Sequence, residues 1–182
     1  MAAEVIPLRI SRNKRIVVVG NSGSGKSFLS KELSVITGLP LVHLDVEFWR
    51  PNWEKTPRDE WIKKQRELIS RECWLIDGTL EPRFNAADLV IFLDINPLVC
   101  VVSALKRHGK KRSDLPDYLE EKRGSGFLEL WKMIWAFPQT GKRTILALHD
   151  KYPEKPFLVI SSRGKMNRQL RQWRSETSMN CL

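Results

Sequence analysis

The feature that most constrains the fold of this chain is the stretch of eight residues from Gly20 to Ser27, which reads GNSGSGKS. The stretch before it, Arg15–Gly20, is apolar in the manner of a strand that is buried on both faces of a parallel sheet. The stretch after it, 27–37, has apolar residues at helical spacing and ends at Gly38, a common residue after a helix. The sequence therefore predicts a buried strand that turns through a glycine-rich loop into a helix.

These eight residues match the pattern GxxxxGK[ST] in full, in the strand-to-helix context that the pattern requires. Glycines let backbone N–H groups turn inward around phosphate oxygens, and the helix N-terminus adds partial positive charge. Lys26 is expected to reach the β- and γ-phosphates of ATP, and Ser27 is expected to ligate Mg²⁺. The predicted ATP–Mg²⁺ site comprises Gly20, Asn21, Ser22, Gly23, Ser24, Gly25, Lys26 and Ser27.

Four further apolar runs alternate with helical patterns along the chain. Such alternation indicates βαβ units with right-handed crossovers, and hence a parallel sheet of about five strands with helices on both faces. We predict one α/β domain over residues 1–182, with an irregular aromatic stretch at 46–55 and a helix over 127–149 that bends near Pro138. The four runs are Leu41–Leu44, Trp74–Ile76, Leu89–Leu93 and Phe157–Ile160.

Acidic residues follow three of the predicted strands: Asp45, Asp77 and Asp94. In open α/β sheets, ligands bind at the carboxyl ends of the strands. A Mg²⁺–nucleotide site needs a carboxylate near Ser27 as a second protein group, and both Asp77 and Asp94 could supply it. The pattern alone does not choose between them, and turn formation is the structural alternative for each.

The charge balance points to an anionic partner. The chain has 31 Lys and Arg against 21 Asp and Glu, a net charge of +10. Nucleotide, nucleic acid and acidic membrane all fit such a charge. Basic residues concentrate in 106–112 and again in 163–174. The three histidines and three cysteines are scattered without metal-ligand spacing, so we interpret them as structural or surface residues.

No stretch approaches a membrane span, and the N-terminus has no secretion signal, which predicts a cytoplasmic protein with reduced thiols. A helical pattern also places Trp131 and Trp135 four residues apart, a spacing typical of core residues.

Three sequence blocks are similar to those of the adenylate-kinase-like P-loop proteins called topology modulation proteins. They are the phosphate loop followed by LVHLDVEFWRPNW from Leu41, then WLIDG from Trp74, and WKMIWAFP from Trp131. The resemblance covers about residues 15–165. It implies a three-layer P-loop fold of the nucleoside-monophosphate-kinase type with strand order 2-3-1-4-5. It also implies an ATP-dependent phosphotransferase with an acceptor-binding segment at 46–72 and a basic lid at 107–126.

The resemblance also assigns roles to individual residues. It favours Asp77 as the metal-side carboxylate and Arg83 as a contact for an acceptor phosphate, although Thr79-Leu80 departs from the Asn-Tyr usual in similar proteins. Asp45 is expected to face the acceptor, and Trp49 either stacks on it or packs the segment. Lid arginines that close over the transferring phosphoryl group are expected at Arg107 and Arg112, with a solvated basic run as the structural alternative. Arg163 is a candidate contact for the nucleotide.

The sequence thus supports three functional hypotheses. The first is a nucleotide or small-molecule kinase that uses ATP and Mg²⁺, acting as a monomer or homodimer. The second is an ATP-binding regulatory protein that acts on DNA through its basic surface, and the third is a kinase-like protein that binds nucleotide without transferring phosphate. None of the three involves a membrane.

Overall fold

The strand pattern of the sequence forms a five-stranded parallel sheet in the computed structural model, which describes residues 10–51, 54–78, 81–107 and 126–179. The strands pair in the order β2-β3-β1-β4-β5, and this confirms the predicted order 2-3-1-4-5. They are β1 (Arg15–Gly20), β2 (Leu41–His43), β3 (Trp74–Asp77), β4 (Leu89–Leu93) and β5 (Phe157–Ile160).

Eight helices of the described residues surround the sheet. They are α1 (Lys26–Thr37), α2 (Leu44–Phe48), α3 (Arg58–Ser70), α4 (Glu81–Ala86), α5 (Pro97–Arg107), α6 (Gly126–Ala136), α7 (Gly141–Lys151) and α8 (Arg163–Met179). A short 3₁₀ turn, Phe137–Gln139, separates α6 from α7 and confirms the bend predicted near Pro138. The closing helix is longer than the sequence pattern indicated, beginning at Arg163 rather than near Met166.

Alternating side chains of the strands build one hydrophobic cluster on each face of the sheet. On the first face, Ile16 and Val18 of β1 pack with buried residues of α1, α5, α6 and α8. On the second face, Val17 and Val19 pack with buried residues of α3, α4 and α7. Because both faces are covered, β4 is apolar along its whole length and β3 is apolar up to its last residue, Asp77, as the sequence predicted.

The stretch 46–55 is more regular than the sequence indicated. Residues up to Phe48 complete α2, and Trp49–Arg50 pairs with Glu54–Lys55 as a two-stranded antiparallel hairpin. The Phe48 ring contacts the Trp49 and Trp61 rings edge-on, with centroids 4.9 and 5.1 Å apart. The aromatic residues that suggested an irregular loop therefore hold a small folded unit against α3.

The chain between α6 and α7 passes from the first face of the sheet to the second. Ile134, near the end of α6, belongs to the first cluster, while Ile145 of α7 belongs to the second. Lys142, at the start of α7, reaches Asp94 just beyond β4. The crossing therefore takes place at the carboxyl edge of the sheet.

None of the helices in the described ranges is long and apolar enough to cross a membrane.

Candidate nucleotide-binding site

The glycine-rich loop joins β1 to α1 and lies close to α5. Gly23 has a φ of +75°, and a Cβ atom there would lie 2.3 Å from the carbonyl oxygen of Cys100. Only glycine combines that backbone conformation with so close an approach. Gly25, with a φ of +103°, directly precedes α1, so the loop ends at the helix N-terminus as the motif predicts.

Lys26 is folded over the loop. Its Nζ donates to the carbonyl oxygens of Gly20 at 3.0 Å and Asn21 at 2.9 Å. A lysine in this position brings positive charge to the residues that the motif assigns to phosphate. Phosphate oxygens can replace these two carbonyl acceptors when an anion enters.

Asp77 is the last residue of β3 and lies next to Ser27. The Ser27 hydroxyl is 3.4 Å from Asp77 Oδ2, and His43 Nδ1 is 2.8 Å from the same oxygen. Asp77 Oδ1 accepts the backbone N–H of Leu44 at 3.3 Å. The residue is only 8% exposed, so its carboxylate is a nearly buried charge surrounded by donors.

Asp94 has a different partner. It follows β4, and its Oδ2 accepts a hydrogen bond from Lys142 Nζ at 2.7 Å. This pairing compensates the negative charge of Asp94 at the edge of the sheet. Of the two carboxylates that the sequence left open, Asp77 is the one in contact with Ser27.

The oxygens of Ser27 and Asp77 form a donor set that fits Mg²⁺. Mg²⁺ prefers oxygen ligands and is usually held by one or two protein oxygens together with waters and substrate phosphates. No group of three or more His, Cys, Asp and Glu within the described ranges could hold a metal ion by itself. These residues are therefore suited to a metal that arrives with a nucleotide.

Asn21 attaches the loop to α6. Its side-chain amide donates to the carbonyl oxygen of Ile134 at 2.9 Å, and the residue is 2% exposed. Asn21 and Ile134 are far apart in sequence, so this buried bond ties the loop to the end of α6.

Arg163, at the first turn of α8, also touches the loop. Its guanidinium donates to the carbonyl oxygen of Gly23 at 3.2 Å and to the Ser103 hydroxyl at 2.7 Å. Nearby, burial raises the pKa of the Cys100 thiol to about 11, so this cysteine stays protonated at neutral pH. Arg163 therefore adds a second positive side chain to the loop.

Arg83 is buried on α4, with 2% of its surface exposed. Its guanidinium donates to Gln65 Oε1 at 2.9 Å, while its Nε has no hydrogen-bond partner among the described residues. Burial lowers the pKa of Arg83 to about 10, a value at which it still carries its charge at neutral pH. No carboxylate of the described ranges compensates that charge.

The other predicted acceptor residues are less enclosed. Asp45 is exposed and lies in the first turn of α2. The sequence predicted that it would stand at the end of a strand, but β2 ends earlier, at His43. Trp49 is half-buried in the hairpin against Phe48. The Arg107 side chain, Arg112 and most of the predicted lid lie outside the described residues.

His43 is the residue of this site that sequence reasoning missed. It was interpreted as structural or surface because the three histidines show no common spacing. The available signal was its place at the end of β2, since strand ends on one sheet edge meet. Lys142 was missed as well, and no local pattern links it to Asp94.

Comparisons with known proteins indicate the fold of a P-loop kinase. A gluconokinase from Sinorhizobium meliloti 1021 is 16% identical, with 91% of each chain covered and a TM-score of 0.50. A deoxyadenosine kinase from M. mycoides, solved with the products dCMP and dCDP, is 16% identical, with 92% of this chain and 100% of that chain covered and a TM-score of 0.51. No protein-family model and no curated protein matches the sequence.

Proposed function

We propose that this protein is an ATP-dependent kinase that transfers the γ-phosphoryl group of ATP to a small anionic acceptor. The observation that carries the proposal is the contact between Ser27 and Asp77 beside a complete phosphate loop. That contact joins a magnesium-type oxygen pair to the loop residues suited to a triphosphate. The names of the two similar solved structures, both kinases, support the same reaction class.

In this proposal, each loop residue contributes position or charge. The backbone N–H groups of Gly20–Gly25 and the α1 N-terminus bind phosphate oxygens, with Arg163 close to the nucleotide. Lys26 exchanges its two carbonyl acceptors for β- and γ-phosphate oxygens. Ser27 and Asp77 hold Mg²⁺, which neutralises negative charge on the phosphates when bound. Arg107 and Arg112 close over the reacting group as lid residues.

Phosphoryl transfer needs little covalent help from the protein. An acceptor oxygen forms a bond to the γ-phosphorus, the bond from that phosphorus to the β–γ bridging oxygen breaks, and the electron pair stays with ADP. If the acceptor is a hydroxyl, Asp45 orients it and takes its proton. If the acceptor is a phosphate, positioning alone suffices.

Arg83 supports an acceptor that carries an anionic group. Within the described ranges the Arg83 guanidinium has no carboxylate partner, and a buried positive charge of this kind is costly unless a ligand supplies the compensating charge. A phosphate or carboxylate on the acceptor would do so with bidentate geometry. The resemblance to topology modulation proteins points to the same residue, and Trp49 is the candidate to stack on or enclose the rest of the acceptor.

The test is ATP consumption by the purified protein with Mg²⁺ against nucleoside monophosphates, sugar acids and neutral nucleosides. We expect turnover with an anionic acceptor, and a loss of at least about 100-fold in kcat/KM in Lys26→Met because the charge on the γ-phosphoryl group is no longer stabilised. Lys14→Met is the matched control, because Lys14 is exposed and pairs with Glu72 next to the opposite edge of the sheet.

Two results would contradict the proposal. If Lys26→Met hydrolyses and binds ATP as well as the wild type does, the loop is not the nucleotide site. If ATP binds but no acceptor of the panel is phosphorylated, the protein is better described as a nucleotide-binding protein without transfer.

The outward face of α8 favours a second candidate function, an ATP-binding protein that acts on DNA. Lys165, Arg168 and Arg171 are exposed there, while Met166 and Leu170 face the core. No acidic residue occurs in α8 before Glu176. This function predicts DNA binding that weakens with salt, and no phosphorylation of any acceptor in the panel.

A further inference from the structure

His43 and Asp77 are neighbours through the register of the sheet. The parallel pairing of β2 with β3 sets His43 opposite Asp77, and two residues earlier it sets Leu41 opposite Leu75. Leu41 and Leu75 pack in the cluster of the first face, where α1 also lies. Because side chains alternate along a strand, His43 and Asp77 point to the α1 side, where Ser27 lies in the first turn of the helix.

The last residue of β2 and the first residue of α2 supply donors to the two oxygens of the Asp77 carboxylate. Oδ1 accepts the Leu44 N–H at 3.3 Å, and Oδ2 lies 2.8 Å from His43 Nδ1. A carboxylate accepts hydrogen bonds, so His43 Nδ1 carries the proton of this contact. The His43 side chain is 15% exposed and that of Asp77 is 10% exposed, so water competes little for the bond.

We propose that His43 is a positioning residue for Asp77 in metal–nucleotide binding. Its Nδ1–H fixes the orientation of the carboxylate while Oδ2 keeps a lone pair toward the Ser27 side. Without this donor, the carboxylate is free to turn toward other partners. Metal binding is then weaker, because part of its free energy is used to orient the carboxylate. The inference rests on the Mg²⁺–nucleotide part of the proposed function and on no acceptor.

A pair of nearly isosteric substitutions isolates the Nδ1–H group. Asparagine has an amide nitrogen at the same number of bonds from Cβ as Nδ1, so His43→Asn can keep a donor to Asp77. Leucine has the shape of asparagine without a donor, so His43→Leu loses the hydrogen bond in addition to the ring that both variants lack. The difference between the two variants therefore reports the bond, and their common effect reports the loss of the ring.

The experiment measures ADP affinity by calorimetry for the wild type and both variants, with Mg²⁺ and with EDTA. We expect Mg²⁺ to strengthen ADP binding to the wild type, and His43→Leu to lose about 10- to 100-fold of affinity in Mg²⁺. His43→Asn is expected to retain most of the wild-type affinity. Affinity for ADP in EDTA should change less than about twofold in either variant, because the phosphate loop is intact.

A double-variant comparison completes the test. In an Asp77→Asn background, His43→Leu should cost nothing further in Mg²⁺-dependent affinity, since its effect passes through Asp77. Equal losses in Mg²⁺ and in EDTA would make His43 a structural residue and overturn the proposal. An equal loss of Mg²⁺-dependent ADP affinity in His43→Asn and His43→Leu would also overturn it. The same holds if the ADP affinity of the wild type does not depend on Mg²⁺.

The two proposals fail separately. A Mg²⁺-dependent loss in His43→Leu alone supports the positioning role even where no acceptor is phosphorylated. Conversely, an active kinase whose His43→Leu variant binds Mg²⁺–ADP normally keeps its proposed function and loses this inference.

Discussion

At the scale of single residues, Asp77 and Asp94 show what a sequence pattern leaves open. Both follow apolar strands at the same edge of the sheet, so the local patterns are alike. Asp77 contacts Ser27 and His43, whereas Asp94 is paired with Lys142. The partners come from distant parts of the chain, and only the assembled sheet shows which carboxylate lies beside the phosphate loop.

Gly23 gives a prediction at this scale, with Gly38 as its control. Both have positive φ, +75° and +73°, but a Cβ at Gly23 meets the Cys100 carbonyl while a Cβ at Gly38 meets nothing within 4 Å. We expect Gly38→Ala to lower the free energy of unfolding by about 1 kcal/mol, the cost of the left-handed conformation. Gly23→Ala should lower it by about 1–3 kcal/mol more, because it adds overpacking.

Urea denaturation measures the free energy of unfolding of both variants. Titration with ADP measures whether the phosphate loop still binds nucleotide. Gly23→Ala should also weaken ADP binding, since the displaced loop no longer presents its N–H groups together, while Gly38→Ala should not. Equal stabilities in the two variants would show that the loop can move away from α5 at little cost.

At the scale of elements, hydrophobic runs predicted the strands well, and periodicity predicted helix faces less well. Trp131 and Trp135 were expected in the core, yet they are 47% and 56% exposed, while Ile134 between them is buried. A four-residue spacing shows that two side chains share a face of a helix, but not which face is buried. The elements that pack against α6 determine which of its faces is buried, and they are distant in sequence.

The bond between Asn21 and α6 gives a prediction for this element. We expect Asn21→Leu to lower the free energy of unfolding by about 1–3 kcal/mol, because the buried Ile134 carbonyl loses its donor. Hydrogen exchange should rise in α6 and in the loop, since their connection is gone. Asn167→Leu on the exposed side of α8 is the matched control and should change stability by less than about 0.5 kcal/mol. Unchanged exchange in α6 would mean that other contacts hold it.

At the scale of the whole molecule, the parallel sheet follows from simple rules, whereas its strand order was implied by the resemblance to topology modulation proteins. The site follows from that order. Right-handed crossovers and covered faces predicted a parallel sheet, and β1 in its centre brings the loop beside β3 and β4. The acceptor side was less predictable, because α2 and the paired strands Trp49–Arg50 and Glu54–Lys55 depend on packing against α3. The roles of Arg107 and Arg112 stay predictions.

The net charge of +10 is a property of the whole molecule. The distribution of this charge over the surface determines how many phosphate contacts DNA can make. Several surface cations are already paired with carboxylates, among them Arg174 with Glu32 and Lys64 with Glu47. The outward face of α8 keeps Lys165, Arg168 and Arg171 exposed. Three phosphate contacts give a slope of log Kobs against log salt of about −3, which is shallow.

We therefore expect weak binding of duplex DNA at low salt, measured by fluorescence anisotropy, with that slope. Arg168→Gln together with Arg171→Gln should reduce the slope by roughly 1 for each residue. Lys63→Gln on α3, which packs on the other face of the sheet, should leave it unchanged. A much steeper slope would mean that an extended surface engages DNA, and it would shift the balance from the kinase to the regulatory function. A slope insensitive to the α8 substitutions would place the DNA contact elsewhere on the molecule.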